Sequence, residues 1–159
     1  DEGLALAKKN GTVLVIDIYN TEYILGEGEK AGFLPESLEK ERRVGAQQRE
    51  SFRRAHEAGV KIAFGTDGGV YPHGQNARQL SRMVQFGMTP IEAIRSATVN
   101  AAELLGMSAS LGTLEIGKYA DMIAVNADPL AEIETLENVV FVMRNGEVMK
   151  PLERTSAND

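Results

Sequence analysis

Short apolar runs alternate with segments of helical periodicity along the first two thirds of the chain. Residues 1–9 predict a helix that stops at Asn10-Gly11, and residues 12–19 form a run too apolar to face water on one side. A second run of this kind covers residues 60–66 and follows a long helical segment. Because strands that alternate with helices pack as parallel sheets with βαβ crossovers, the pattern predicts an α/β fold.

The long helical segment is predicted to begin at Pro35 and to end at Gly59, just before the second strand. Residues 75–86 form the next helix, which ends at Gly87. Polar, glycine-rich residues 20–35 are predicted to be an active-site loop, since long connections without secondary structure are usually functional. The positions expected to face inwards are Val44, Gln48, Phe52 and Ala55 in the first helix and Ala77, Leu80 and Val84 in the second.

Another pair of helices is predicted after Gly87. Thr89 is a good N-cap, Pro90 suits the first turn, and Glu92 is placed for a capping box with Thr89. Asn100 is expected to cap a short helix that ends near Gly106. The inward stripe of this pair is expected at Ile91, Ile94, Thr98, Ala101 and Leu105.

The last third of the chain has antiparallel β character. Residues 122–125 and 139–144 are apolar runs, and Asn145-Gly146 is a strong hairpin signal. We therefore expect an antiparallel segment joined to the α/β unit, with a boundary near residue 108. The predicted organisation is an α/β unit at residues 1–108, a β unit at residues 109–152 and a disordered tail at residues 153–159.

Composition and charge narrow the classes of partner. The 159 residues are 43% hydrophobic and 25% charged, which suits one globular domain or one domain with a small appendage. The formal net charge of −6 offers no basic surface for nucleic acid or an anionic membrane. No signal peptide or apolar stretch of membrane-spanning length stands out, so a cytoplasmic location is the default expectation. With no cysteine, any metal ion must be bound by oxygen or imidazole ligands.

Asp67 is the candidate catalytic residue that the strand pattern itself indicates. The apolar run of residues 60–66 stops at a threonine, this carboxylate and two glycines. Side chains at the carboxyl ends of parallel strands form the active sites of α/β folds. The alternative is that Asp67 caps the next helix by accepting a backbone N–H, and the local pattern leaves both open.

Three blocks of sequence resemble the amidohydrolase superfamily, in the order in which that family has them. Residues 65–69 together with residues 72–74 are similar to the end of its eighth barrel strand. Residues 88–94 and 97–106 resemble the helical pair that follows, and residues 111–121 resemble its turn into a small β-sandwich. The chain is most similar to the imidazolonepropionase-like group, which contains Xaa-Pro dipeptidases and related metallocarboxypeptidases.

The resemblance implies both a fold and a chemistry. The chain would be the last two strand–helix units of an incomplete (β/α)8 TIM barrel, followed by part of a small β-sandwich. The parent enzyme would bind one or two divalent metal ions, zinc in most members, and hydrolyse the C–N bond of an amide, cyclic amide or dipeptide with metal-activated water. Asp67 matches the family's aspartate ligand, which also accepts the proton of that water and passes it to the leaving nitrogen.

The chain departs from the family's metal-binding pattern at its histidines. It has two, His56 and His73, and neither matches a ligand position. His56 is expected to be packed or solvated on its helix. His73 lies in the loop after Asp67 and is a candidate substrate contact, the alternative being a merely exposed side chain. A barrel of this kind needs about 250 residues, so the chain is expected to be a C-terminal fragment that is inactive by itself.

Two other functions are weighed against hydrolysis. The first is a non-catalytic remnant or interaction module, since the other metal ligands of the family are missing. The second is a phosphate-binding loop at residues 65–74, which the central carboxylate and the lack of a P-loop lysine disfavour. The expected partners are a small-molecule or dipeptide substrate and, in a homo-oligomer, further copies of the chain, with no nucleic acid and no membrane.

Overall fold

The structure, a computed structural model that describes residues 2–152, contains two small sheets. One is a parallel pair, β1 and β2, in which Val15 lies opposite Ala63, and the other is antiparallel in the order β3-β4-β5. The α/β fold class is confirmed, although these sheets do not close into a barrel within the described residues, and the predicted tail at residues 153–159 lies outside them. The strands are β1 Leu14–Ile16, β2 Ile62–Phe64, β3 Met122–Ala124, β4 Phe141–Arg144 and β5 Glu147–Lys150.

Helices flank the parallel pair and connect its strands. The longest begins at Pro35 and ends at Glu57, close to the predicted bounds. None of the helices in the described part of the chain is both long enough and apolar enough to cross a membrane. Their bounds are α1 Glu2–Lys9, α2 Asn20–Glu27, α3 Pro35–Glu57, α4 Arg78–Gln85, α5 Pro90–Ala97 and α6 Val99–Leu104, with a 3-10 helix at Ile133–Glu137.

The hydrophobic core lies where α3 and α4 pack on the parallel pair. Ile18, Phe52 and Met83 are fully buried there, together with Ile62 of β2. The 3-10 helix of the C-terminal part adds Ile133 to the same cluster. Burying an aliphatic or aromatic side chain of this size stabilises the fold by roughly 1.5–3 kcal/mol, so the cluster holds both strand ends and helices in fixed positions.

β1 is shorter than predicted, and a buried glutamine explains where it ends. The backbone N–H groups of Ile18 and Tyr19 both donate to Gln79 Oε1 at 2.9 Å, and Gln79 Nε2 donates to Ile16 O at 2.8 Å. Gln79 therefore satisfies backbone groups that a neighbouring strand would otherwise pair. The prediction that both faces of this strand are covered is wrong at Val15, which is 59% exposed.

Residues 20–35 are not the loop that their polar, glycine-rich composition predicted, because α2 occupies the first half. Thr21 is buried against α3, where its hydroxyl donates to Glu41. Glu22, on the same helix, accepts two hydrogen bonds from Arg82. These partners lie 20 and 60 positions away along the chain, so no local sequence pattern indicates the contacts that stabilise α2.

The helices after Gly87 follow the predicted bounds but not the predicted faces. The capping box of Thr89 and Glu92 is present. Asn100 is not a cap, because it lies within α6 and donates from Nδ2 to Ile62 O at 2.8 Å. Small side chains face inwards where α5 and α6 pack on β2. The predicted stripe is therefore wrong at the exposed residues Ile91, Thr98 and Leu105, and the buried positions are Ala93, Ser96 and Ala102.

Asn145 and Gly146 form the predicted hairpin turn between β4 and β5. Both have positive φ, 50° and 82°, as the two central residues of a type I′ turn require. The N–H of Asn145 also donates to Asp121 Oδ1 at 2.6 Å, which ties the turn to the start of β3.

Candidate active site

Asp67 lies just beyond β2, at the carboxyl end of the parallel pair. Its backbone has a φ of 47°, a left-handed conformation that aspartate adopts more readily than most residues. Hydrogen bonds from Val70 N to Asp67 O at 3.2 Å and from Gly68 N to Thr66 Oγ1 at 3.3 Å hold the turn. Asp67 is exposed, so the turn presents an anionic group to solvent at the strand edge.

The geometry supports neither alternative for this segment, which are a helix cap at Asp67 and a phosphate-binding loop at residues 65–74. α4 begins at Arg78 and its N-cap is Ala77, so Asp67 does not cap the following helix. The glycine-rich residues 65–74 also end before that helix, whereas a phosphate-binding loop delivers its ligand directly to a helix N-terminus.

A second carboxyl group, Asp17, lies beyond the neighbouring strand β1. It is half-buried, and burial raises its pKa above the ordinary value. Its own backbone opposes the rise, while the negative charges of Asp67 and Glu41 add to it. Asp17 was not among the predicted site residues, although a charge that interrupts an apolar run at a strand end is the same signal that identified Asp67.

Asn20, the first residue of α2, lies between these two carboxyl groups. Its Nδ2 donates a hydrogen bond to Asp17 Oδ2 and lies 3.4 Å from Asp67 Oδ2. Its Oδ1 is buried and has no hydrogen-bond partner among the described residues. The amide therefore joins the ends of β1 and β2 into one polar cluster.

One face of α3 supports this cluster from behind. Gln48 Nε2 donates to Asp17 O at 2.9 Å, and Glu41, one turn before Gly45, accepts from Thr21. A Cβ at Gly45 would lie 2.5 Å from Thr21 Cγ2, well inside van der Waals contact. The glycine thus allows α3 to approach the start of α2 closely enough for these hydrogen bonds to form.

Tyr71 forms an aromatic wall beside the carboxyl groups. Its ring packs edge-to-face on Tyr19, with centroids 4.9 Å apart, and lies 6.1 Å from the ring of Tyr23. Burial raises the pKa of Tyr71, and the negative charge of Asp17 adds to the effect, while the Thr66 side chain opposes it. The Tyr71 hydroxyl makes no hydrogen bond of ordinary geometry within the described residues.

A cavity of about 620 Å³ opens between α2 and the loop that follows Asp67. Tyr19 and Tyr23 provide its aromatic surface, and Arg78 reaches into it while donating to Tyr19 Oη at 3.0 Å. Its acidic side chains are paired, Glu22 with Arg82 and Glu27 with Lys30. The cavity offers room for an organic ligand beside the Asp67 loop.

The two histidines lie in different places. His73 is exposed, and a Cβ added at Gly68 would be 3.6 Å from its Cε1, so its ring is next to the turn after Asp67. His56 lies near the end of α3, where its Nε2 is 3.7 Å from Glu92 Oε2. The structure thus brings His73, but not His56, near the candidate site.

Asp67 could provide one ligand of a metal site, but the described residues do not supply the other ligands that a complete site needs. Residues 2–152 contain no group of three or more His, Cys, Asp or Glu side chains that could hold a metal ion. Within the same range, Asn20 Nδ2 donates to Asp67 Oδ2 at 3.4 Å, which leaves Oδ1 available to a cation. An exposed carboxylate oxygen is a suitable ligand for zinc and other divalent ions.

The isolated chain is expected to bind zinc weakly or not at all, because one carboxylate and a loop imidazole fall short of a four-coordinate shell. Dialysis against zinc followed by elemental analysis tests this, with Asp67→Asn as the matched variant. Stoichiometric zinc that the wild-type chain retains and the variant loses would show that a complete site forms without further histidines.

Comparisons with known sequences place this chain in a family. Residues 4–149 match the model of the Amidohydrolase family. Ochratoxinase from Aspergillus niger is 34% identical over 155 residues, which are 94% of this chain and 32% of that protein. An imidazolonepropionase from Pseudomonas syringae pv. tomato is 46% identical over 79 residues, 47% of this chain and 20% of that protein. The chain therefore spans about a third or less of the length of these relatives.

Solved structures give the same result. A Xaa-Pro dipeptidase with bound methionine in its active site superposes with a TM-score of 0.87 at 42% identity, covering 94% of this chain and 37% of that chain. The A. niger ochratoxinase structure superposes with a TM-score of 0.77 at 34% identity, covering 94% of this chain and 35% of that chain. Since nearly the whole sequence matches the family model and solved hydrolases share its fold, the chain belongs to the amidohydrolase family.

Proposed function

We propose that the chain is the C-terminal part of a metal-dependent hydrolase that cleaves a C–N bond. In this proposal residues 1–108 are the last two strand–helix units of a (β/α)8 barrel, and residues 109–152 are part of a β-sandwich. The parallel pairing of β1 with β2 supports this, as does the coverage of little more than a third of the similar Xaa-Pro dipeptidase and ochratoxinase structures.

The observation that carries the proposal is the exposed carboxylate of Asp67 at the carboxyl end of β2. Parallel strands of barrel enzymes place their catalytic groups at this end. A second carboxyl group, Asp17, follows the neighbouring strand, and Asn20 bridges the two. The cavity that Pro72 and Gln75 of the loop after Asp67 help to line would provide space for a substrate, although Asp67 itself does not line it.

Asp67 acts in two ways in the proposed reaction. One carboxylate oxygen would hold a divalent metal ion, zinc in the simplest case, in a site of one or two ions. The other oxygen would take a proton from the attacking water, whose oxygen bonds to the carbonyl carbon, and give that proton to the nitrogen as the C–N bond breaks, so that a carboxylic acid and an amine form. The metal, when bound, would supply Lewis acidity that makes water nucleophilic at neutral pH.

The substrate class is an amide, a cyclic amide or a dipeptide. The test uses a full-length protein that contains this chain, loaded with zinc, on a panel of Xaa-Pro dipeptides, N-acyl amino acids and a cyclic amide. Amine release that a chelator abolishes and added zinc restores would support the proposal. A folded, zinc-loaded protein that releases no amine from any of these compounds would favour the non-catalytic alternative.

His73 is proposed to contact the substrate, since its ring lies beside the turn after Asp67. His73→Ala in the full-length protein is expected to raise KM by roughly three- to tenfold, the effect of one lost hydrogen bond, with little change in kcat. His56→Ala is the matched control, because His56 lies on α3 beside Glu92. Equal KM values for the His73 variant and the wild type would mean that His73 is merely exposed.

A further inference from the structure

Asn20 occupies a position that no strand pattern or family motif assigned. Its amide nitrogen donates to Asp17 Oδ2 and points to Asp67 Oδ2 at 3.4 Å, while the residue itself is only 8% exposed. The orientation of the amide follows from charge, because the reverse orientation would turn Oδ1 towards two acidic groups. The buried amide N–H of Asn20 therefore faces the carboxylate of Asp67.

The donor is held in place by three segments of the fold. Its backbone lies in the first turn of α2, where Thr21 packs on Gly45 of α3. Asp17, the other partner of the amide, is fixed through its carbonyl oxygen by Gln48 at 2.9 Å. Asp67, by contrast, is an exposed side chain on a turn, where several rotamers are open to it.

We propose that Asn20 is a positioning residue, which selects the rotamer of Asp67 that faces the metal ion and the attacking water. This inference rests on the proposed role of Asp67. The hydrogen bond from Asn20 reaches Oδ2, so Oδ1 would be free to hold the metal ion. Groups that orient a metal ligand in this way typically contribute 10- to 100-fold to metal affinity or activity.

The first test measures zinc affinity in the full-length protein by competition with a chromophoric chelator. Asn20→Ala should weaken zinc binding by about 10- to 100-fold and lower kcat more than it changes KM. Asn20→Leu has nearly the same shape but neither a donor nor a charge, so it should lose about as much. Asn126→Ala, at an exposed asparagine of the C-terminal part, is the matched control and should change neither quantity.

A double-mutant cycle with Asp67→Ala separates positioning from a general structural role. In that background Asn20→Ala should change zinc affinity less than about threefold, because the side chain on which Asn20 acts is gone. Equal losses in both backgrounds would overturn the inference, as would unchanged zinc affinity in Asn20→Ala accompanied only by a lower melting temperature. If Asn20→Ala fails to fold, the nearly isosteric and uncharged Asn20→Leu decides by the same measurements.

Failure of the proposed function has a different signature. In that case Asp67→Ala alone would leave zinc affinity and amine release unchanged. If Asp67→Ala removes both but the Asn20 variants behave like wild type, only the positioning role of Asn20 is wrong.

Discussion

Replacing Asp67 with asparagine in the full-length protein is expected to reduce turnover by at least about 100-fold, the low end of what a lost general acid–base group costs. The amide keeps the shape of the side chain, but it cannot take the proton from water or deliver it to the leaving nitrogen. Substrate binding should change less, so kcat should fall more than KM rises. Steady-state kinetics on the best substrate of the panel measure both constants.

Asp128→Asn is the matched control for this substitution. Asp128 is exposed in the C-terminal part, and its Oδ1 accepts a hydrogen bond from Leu130 N at 2.9 Å, which an asparagine oxygen can also accept. Turnover of this variant should equal that of the wild type. If Asp67→Asn keeps turnover within about tenfold of wild type, the lost barrier stabilisation is under roughly 1.4 kcal/mol, and Asp67 is not the proton carrier.

The chain purified by itself is expected to self-associate. β1 and β2 form a two-stranded parallel sheet, and a sheet of that size has little stability of its own. In the described part of the chain each of these strands pairs with another strand along one edge only, although Asn100 covers part of the other edge of β2, and Val15 is 59% exposed on the sheet. Open edges and exposed apolar side chains recruit further copies of a chain. Light scattering should detect particles larger than a monomer, and the thermal melt should be broad.

Two lysine substitutions test which surface causes the self-association. Val15→Lys places a charge beside the open edge of β1 and should shift the scattering towards smaller particles. Leu105→Lys introduces the same charge at another exposed apolar residue, after α6, and should have little effect. A monodisperse monomer with a sharp, cooperative melt for the wild-type chain would contradict the expectation and indicate an independently stable fold.

The parts of the fold that were predictable are those fixed by neighbouring residues. Proline at the first turn of α3, the capping box of Thr89 with Glu92, and the Asn145-Gly146 turn depend on contacts within a few positions. Asp67 belongs to the same group, because the end of an apolar run is visible in the sequence itself.

The polar cluster around Asp67 could not be predicted in this way. Gln48 is 31 positions from Asp17, and Asn20 is 47 positions from Asp67, so the packing of α3 and the pairing of β1 with β2 bring them together. Long-range contacts also explain why the sequence of α2 predicted a loop. Glu22 of this helix pairs with Arg82, which lies far along the chain. Hydrophobic periodicity carries no information about such polar contacts.

At Gly45 of α3, the residue that favours helix formation differs from the residue that the geometry of the candidate site requires. In the middle of a long helix an alanine would be favoured over glycine by about 1 kcal/mol, and such replacements are a common route to heat-resistant variants. Here the added methyl group would collide with Thr21 and push α2 away from α3. Asn20 adjoins Thr21 at the start of α2, so its reach to Asp17 and Asp67 would change with that movement. Helix propensity and a well-ordered carboxylate cluster therefore make opposite demands on this one position.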